Sequence, residues 1–79
     1  MSQHPADVLR ELLAVLERRL SDLMFHLYRA RHRLTEIQER VGTDALLLGR
    51  VGEALTSVRD SERVIADIQQ QIKTIRDFR

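Results

Sequence analysis

The chain has 79 residues, which allows one small domain and no more. It carries 13 basic and 12 acidic side chains, a formal net charge of +1, and its 43% apolar and 32% charged residues are typical of a soluble folded chain rather than a disordered one. Three glycines and one proline are too few for the turns of a β-sandwich or barrel, and the lack of cysteine excludes disulfides and thiolate metal sites. We therefore expect a single helical domain over residues 1–79.

The N-terminal segment does not have the features of a targeting signal. The longest uncharged apolar run near it is Leu12–Leu16, whereas a secretory signal needs about 7–15 such residues and a membrane-spanning helix about 20. The sequence thus predicts no membrane insertion and a cytoplasmic location.

The first predicted helix runs from about residue 5 to residue 41. Pro5 suits the first turn of a helix, and no other glycine or proline occurs before Gly42, which suits the position just past a helix end. Between them, apolar residues recur at alternating gaps of three and four, which is a heptad pattern with position a at Ala6 and position d at Leu9. This stripe comprises Ala6, Leu9, Leu13, Leu16, Leu20, Leu23, Leu27, Ala30, Leu34, Ile37 and Val41.

A turn at residues 42–44 separates this helix from a second one, predicted from about residue 44 to residue 77. Thr43 or Asp44 can cap the second helix through a side-chain oxygen. The second helix has its own heptad stripe, in which only Ser61 is polar: Leu47, Val51, Ala54, Val58, Ser61, Ile65, Ile68, Ile72 and Ile75.

The two stripes match when the helices are antiparallel. The residue numbers of facing a positions then add to 85, as for Leu20 with Ile65, and those of facing d positions add to 84, as for Leu23 with Ser61. The fold class predicted is all-α: an antiparallel two-helix hairpin of the coiled-coil type. The alternative, one continuous helix in a parallel coiled coil, is disfavoured because each of its three glycines would cost about 1 kcal/mol in a helix interior.

A hairpin of this size buries a single seam, so we expect a second subunit or another partner to complete it into a bundle. Two groups of further apolar residues predict where this partner binds. One lies towards the turn and comprises Met24, Phe25, Tyr28, Leu48 and Leu55; the other lies towards the termini and comprises Val8, Leu12, Val15, Val64 and Phe78. Gly49 and Gly52 fall off the seam. They are tolerated surface residues, or they mark an early break that starts the second helix nearer Arg50, or they allow close approach of the partner's backbone.

Charge is also segregated in the heptads. The e and g positions that flank the seam hold seven arginines against two acids, Glu17 and Glu62. In the predicted register Arg10 lies near Arg76, so the flanking charges do not specify the hairpin. Either an acidic partner surface uses these arginines, or they extend over the seam with their heads in water.

No arrangement of residues predicts catalysis, and we expect no catalytic site, no cofactor and no metal. His4, His26 and His32 have no ligand spacing, and neither an HExxH motif nor a glycine-rich phosphate loop is present. The all-helical chorismate mutases also begin with a long helix, but they need a lysine on it, and the one lysine here is Lys73.

Nucleic-acid binding is disfavoured as well. Arg29, Arg31, His32 and Arg33 fan around the helix at 100° per residue and so form no single stripe. With a net charge of +1 the electrostatic gain on binding phosphates is small.

The layout resembles the small cochaperones of type III secretion needle subunits, which are short antiparallel helical hairpins. The similarity covers most of the chain in size and plan and is strongest in the second helix, at Leu46-Leu47-Leu48 and at Ser61-Glu62-Arg63-Val64-Ile65-Ala66-Asp67-Ile68. The resemblance implies a cytoplasmic, non-enzymatic protein that binds a larger helical chaperone and, through it, holds the needle subunit before export.

Two alternatives belong to other classes. One is a self-assembling homodimeric four-helix protein with a structural or adaptor role in phage or envelope machinery. The other, which we rank lower, is a regulator that binds nucleic acid.

Overall fold

The computed structural model describes residues 4–78 and consists of two long helices that lie side by side. Helix α1 spans Pro5–Val41 and helix α2 spans Ala45–Asp77. The short turn between them makes the helices antiparallel, and the molecule is a rod of 64 × 20 × 13 Å. The all-α hairpin predicted from the sequence is confirmed.

Local chemistry at the helix ends explains where α1 begins and stops and where α2 begins. Before α1, the Nδ1 atom of His4 accepts a hydrogen bond from the amide of Ala6 at 3.2 Å. After α1, Gly42 adopts φ 71° and ψ −126°, a backbone conformation that favours glycine. The first turn of α2 is capped by Asp44, whose Oδ1 accepts from the amide of Leu47 at 3.1 Å.

The hairpin's own interface is formed by heptad positions a and e. Its buried side chains are Leu13, Ile65 and Ile72 at position a and Leu55 at position e, each 4–9% exposed. The other a positions between Leu20 and Val58, and Met24 and Leu48 at e, are half-buried. The core is therefore a narrow strip along the line where the two helices touch.

The prediction that positions a and d together close the hairpin is correct for a and wrong for d. Seven large d-position side chains are 37–52% exposed: Leu9, Leu16, Leu23, Ile37, Leu47, Ile68 and Ile75. The reason is geometric. At 100° per residue, e lies about 40° from a on one side and d about 60° from a on the other, and two helices in contact bury only one such strip.

Two ion pairs stabilise the helix orientation in which position e, rather than position d, lies in the interface. Arg31 Nε lies 3.0 Å from Glu62 Oε1, and Arg76 Nη1 donates to both carboxylate oxygens of Glu17 at 2.9 Å. All four residues occupy position e, and the residue numbers of each pair add to 93. Because side chains lean towards the N-terminus of their own helix, e residues on antiparallel helices lean towards one another. Arg76 thus pairs with an acid, whereas we expected it beside Arg10.

Candidate functional site

One broad face of the hairpin carries the uncovered apolar stripe. We call it the open face and define it by the ten d positions. The two alanines in it are half-buried, the serine is exposed, and the other seven are the large exposed side chains described above. The open face consists of Leu9, Leu16, Leu23, Ala30 and Ile37 on α1 and Leu47, Ala54, Ser61, Ile68 and Ile75 on α2.

The predicted patch towards the termini borders the open face. Its members occupy position g, which lies next to d on the helix surface, and position c, which lies just beyond g. All five are exposed, from 36% at Val8 to 82% at Phe78. They widen the apolar surface, most of all in the half of the rod that contains the chain termini.

A groove lies at the middle of the open face. It has a volume of about 380 Å³ and is lined by Leu23, Leu27, Asp60, Ser61, Val64 and Ile65. Leu23 is the central residue of α1, and Ser61 is the central residue of α2. The groove exists because Ser61 is small where the rest of the stripe on α2 is mostly leucine or isoleucine. The Ser61 hydroxyl donates a hydrogen bond to the carbonyl of Ser57 at 2.9 Å, so it needs no acceptor from a partner.

The predicted patch towards the turn is not a single surface. Leu55 is 4% exposed and lies inside the hairpin, so the expectation that it is uncovered is wrong; position e faces the other helix. Met24 and Leu48 are half-buried in the same interface. Phe25 and Tyr28 remain 58% and 56% exposed, at positions f and b on the side opposite the open face.

An arginine lies near each of the exposed rings of Phe25 and Tyr28. The Cζ atom of Arg29 lies 5.8 Å from the centroid of Phe25, and that of Arg31 lies 5.3 Å from the centroid of Tyr28. Arg31 is already paired with Glu62, and the Nε2 atom of His32 lies 3.2 Å from Glu36. Acids therefore offset part of the basic cluster, which weakens its attraction for phosphates.

The chemistry available elsewhere in the described residues is limited. Within residues 4–78, no three histidine or acidic side chains are grouped so that they could hold a metal ion. Neither helix is sufficiently long and apolar to cross a membrane over the same range.

Comparisons of the chain with protein-family models, with curated proteins and with solved structures found no match.

The hairpin has a larger accessible surface than a compact protein of the same mass. A compact 9.2 kDa protein has about 4,900 Å² of accessible surface by the usual scaling, whereas the hairpin has 6,708 Å². The excess reflects the elongated shape of the rod, and the open face contributes apolar area to it. An exposed apolar face of this extent is typical of a surface that other protein chains cover.

Sequence reasoning missed the open face because it treated positions e and g as one flank. A signal was present, however. The only two acids among those flanks, Glu17 and Glu62, stand at e, and each has an arginine at e for which the residue numbers add to 93. Pairing opposite charges in this way would have placed e in the interface and d outside it.

Proposed function

We propose that the chain is a non-enzymatic protein-binding module, and that it docks helices of another polypeptide on its open face. The observation that carries this proposal is the row of seven large apolar d-position side chains, each 37–52% exposed on one side of the rod. A helix that presents such a row normally buries it against another helix.

The dimensions of the open face fit helices better than other ligands. From Leu9 to Ile37 the stripe extends about 42 Å at 1.5 Å per residue. It is straight and apolar, it runs parallel to the helix axes, and no charged residue occurs at any of its ten positions. A nucleic acid would need basic residues along the stripe. An apolar helix face needs apolar side chains, and these are what the stripe carries.

The cochaperone role is the specific form of this proposal that follows from the resemblance. The partner would be a larger helical chaperone, and the pair would keep a needle subunit monomeric in the cytoplasm until export. The length of the chain, the hairpin plan and the open face support this role. Its direct test is co-expression with a candidate chaperone and needle subunit, in which a stable ternary complex is the expected result.

A homodimeric structural or adaptor protein is the second candidate. It is favoured by the order of large and small residues along the open face, since Leu16 and Ile68 stand on one side of the middle and Ala30 and Ala54 on the other.

The test of the binding role compares the two sides of the rod. We expect Ile68→Glu, on the open face, to abolish the association that the native chain makes with itself or with a co-purifying protein. The matched control is Phe25→Glu, because Phe25 is more exposed but lies on the opposite side. Sedimentation equilibrium reports association, and circular dichroism reports whether each variant is still helical.

Two outcomes would contradict the proposal. The first is a native chain that stays monomeric at about 100 μM, a concentration that populates even weak complexes, and that retains no partner. The second is an equal loss of association in the two variants. If Ile68→Glu unfolds the hairpin, the milder Ile68→Ala gives the same comparison with Phe25→Ala.

A further inference from the structure

We infer that a second copy of this chain covers the open face, turned end for end, so that two hairpins form a four-helix bundle. Its two-fold axis passes level with Leu23 and Ser61. This inference rests on the proposed binding role, because it names the occupant of the same face, and it takes the homodimeric form of that role rather than the cochaperone form.

The order of side-chain sizes along the open face carries the inference. From the middle towards the termini the next residues are large, Leu16 and Ile68. From the middle towards the turn the next residues are small, Ala30 and Ala54. When one hairpin is reversed on the other, Leu16 lies opposite Ala30 of the second copy. Ile68 likewise lies opposite Ala54 of the second copy, so each large side chain meets a small one.

The remaining levels fit the same arrangement. Residues that face each other across the axis have numbers that add to 46 on α1 and to 122 on α2, the values set by the central residues of the helices. Leu9 then meets Ile37, and Leu47 meets Ile75, which gives layers of four large residues at both ends. At the centre the two grooves face each other, and the Leu23 side chains, 47% exposed, fill the space that Ser61 leaves.

The alternative dimer, with both turns at the same end, packs poorly. One layer would contain four alanines, two from Ala30 and two from Ala54. A layer on the other side of the middle would contain four large residues, two from Leu16 and two from Ile68. At the helix spacing that the large layers set, the layer of four alanines would leave a void, and voids of this kind are destabilising. No layer of the reversed arrangement contains more than two small residues.

Repulsion between arginines near the turn also favours the reversed orientation of the two copies. Arg33, Arg40 and Arg50 occupy g positions in the half of the rod near the turn, and all three are exposed. Placing the two turns together would gather six arginines at one end, with mutual repulsion. The reversed arrangement separates them to opposite ends. There the arginine stems can lie over apolar g positions of the second copy, such as Leu12 and Phe78.

The size of the face is sufficient for a stable dimer. The rod is 64 Å long and 20 Å wide, so one face projects about 1,300 Å², and stable complexes bury about 800 Å² per partner. A second copy has the same length and therefore covers the whole stripe, whereas a single short helix would leave part of it exposed.

Cysteine cross-linking tests both the occupant and its orientation. The chain has no cysteine of its own, so any disulfide comes from the engineered positions. We expect Ser61→Cys, a change that nearly preserves size, to oxidise to a covalent dimer because position 61 faces itself across the axis. Ala54→Cys is the matched control, because two copies of residue 54 are separated by about 21 Å along the rod, beyond the roughly 7 Å limit between Cα atoms for a disulfide.

A mixture adds a positive prediction. Neither Ala54→Cys nor Ile68→Cys should cross-link with itself, but the two variants mixed in equal amounts should form a mixed covalent dimer. Oxidation is carried out on the full chain with glutathione, and non-reducing electrophoresis with mass spectrometry identifies the products.

The other outcomes separate this inference from the proposed function. Efficient self-cross-linking of Ala54→Cys would overturn the reversed orientation. A native chain that sediments as a monomer but binds a defined foreign chain through Ile68 would overturn the second copy and leave the binding role standing. A native chain that does neither would overturn both.

Discussion

Arg76 donates from Nη1 to both carboxylate oxygens of Glu17, at 2.9 Å each, and so joins the last turn of α2 to the N-terminal half of α1. Arg31 and Glu62 form the equivalent contact 14 residues away along each helix, at 3.0 Å. Both pairs draw position e into the interface between the helices. Because d lies on the other side of a, the same contacts turn the apolar d stripe towards solvent, where a partner can reach it.

The first prediction concerns the ion pair between Glu17 and Arg76. Glu17→Arg places an arginine beside Arg76, and we expect it to lower the free energy of unfolding by about 0.5–1 kcal/mol, the range for partly exposed ion pairs. The double variant Glu17→Arg, Arg76→Glu should recover most of the loss. Urea denaturation at a fixed chain concentration measures the effect, and the difference should shrink at high salt. A double variant as unstable as Glu17→Arg would mean that the pair does not form.

The second prediction compares two leucines of α2. Leu55 is 4% exposed and Leu46 is 73% exposed. Leu55→Ala removes a large side chain from the centre of the hairpin's interface and should cost about 2–4 kcal/mol. Leu46→Ala should cost less than about 0.5 kcal/mol, as is usual for surface positions. Denaturation midpoints at one chain concentration give both values. Equal losses would show that Leu55 is not part of the core.

The fold could be predicted from the sequence because its signals are local. The heptad spacing, Pro5 and Gly42 each act within one or two turns of a helix and do not depend on what the helix packs against. The face that each helix buries is not set by local signals. Positions d and e both border a, and the choice between them is decided by contacts across the hairpin, such as Glu17 with Arg76.

The candidate site was predictable only in part for the same reason. The exposure of the patch near the termini could be predicted because its residues, such as Leu12 and Phe78, have no place in either seam. Leu55 was misplaced and the stripe through Leu16 and Ile68 was missed, because a d residue was assumed to be satisfied within the hairpin. A two-helix unit does not bury a, d and e at once, and because the d positions of this chain are apolar, their stripe stays exposed.

The third prediction uses two glycines as a matched pair. Gly42 has φ 71° and ψ −126°, a conformation in which a side chain is strained, so Gly42→Ala should destabilise the hairpin by about 1–3 kcal/mol. Gly49 lies within α2 and has open space where the methyl group of an alanine would lie, so Gly49→Ala should stabilise the helix by up to about 1 kcal/mol. Thermal unfolding followed by circular dichroism measures both. A loss of association with Gly49→Ala would instead show that a partner's backbone approaches closely there.

The last prediction tests the reversed packing of two copies by exchanging a large and a small residue. Ile68→Ala should weaken self-association by at least tenfold, because it leaves a cavity opposite Ala54 of the second copy. Ala54→Ile should also weaken it, because two isoleucines then compete for one space. The double variant Ala54→Ile, Ile68→Ala keeps one large and one small residue at each of these contacts, so its dissociation constant should return to within about tenfold of the native value. Sedimentation equilibrium measures the four constants. If the losses simply add in the double variant, residues 54 and 68 do not face each other, since only the reversed arrangement couples two positions that lie 14 residues apart on the same helix.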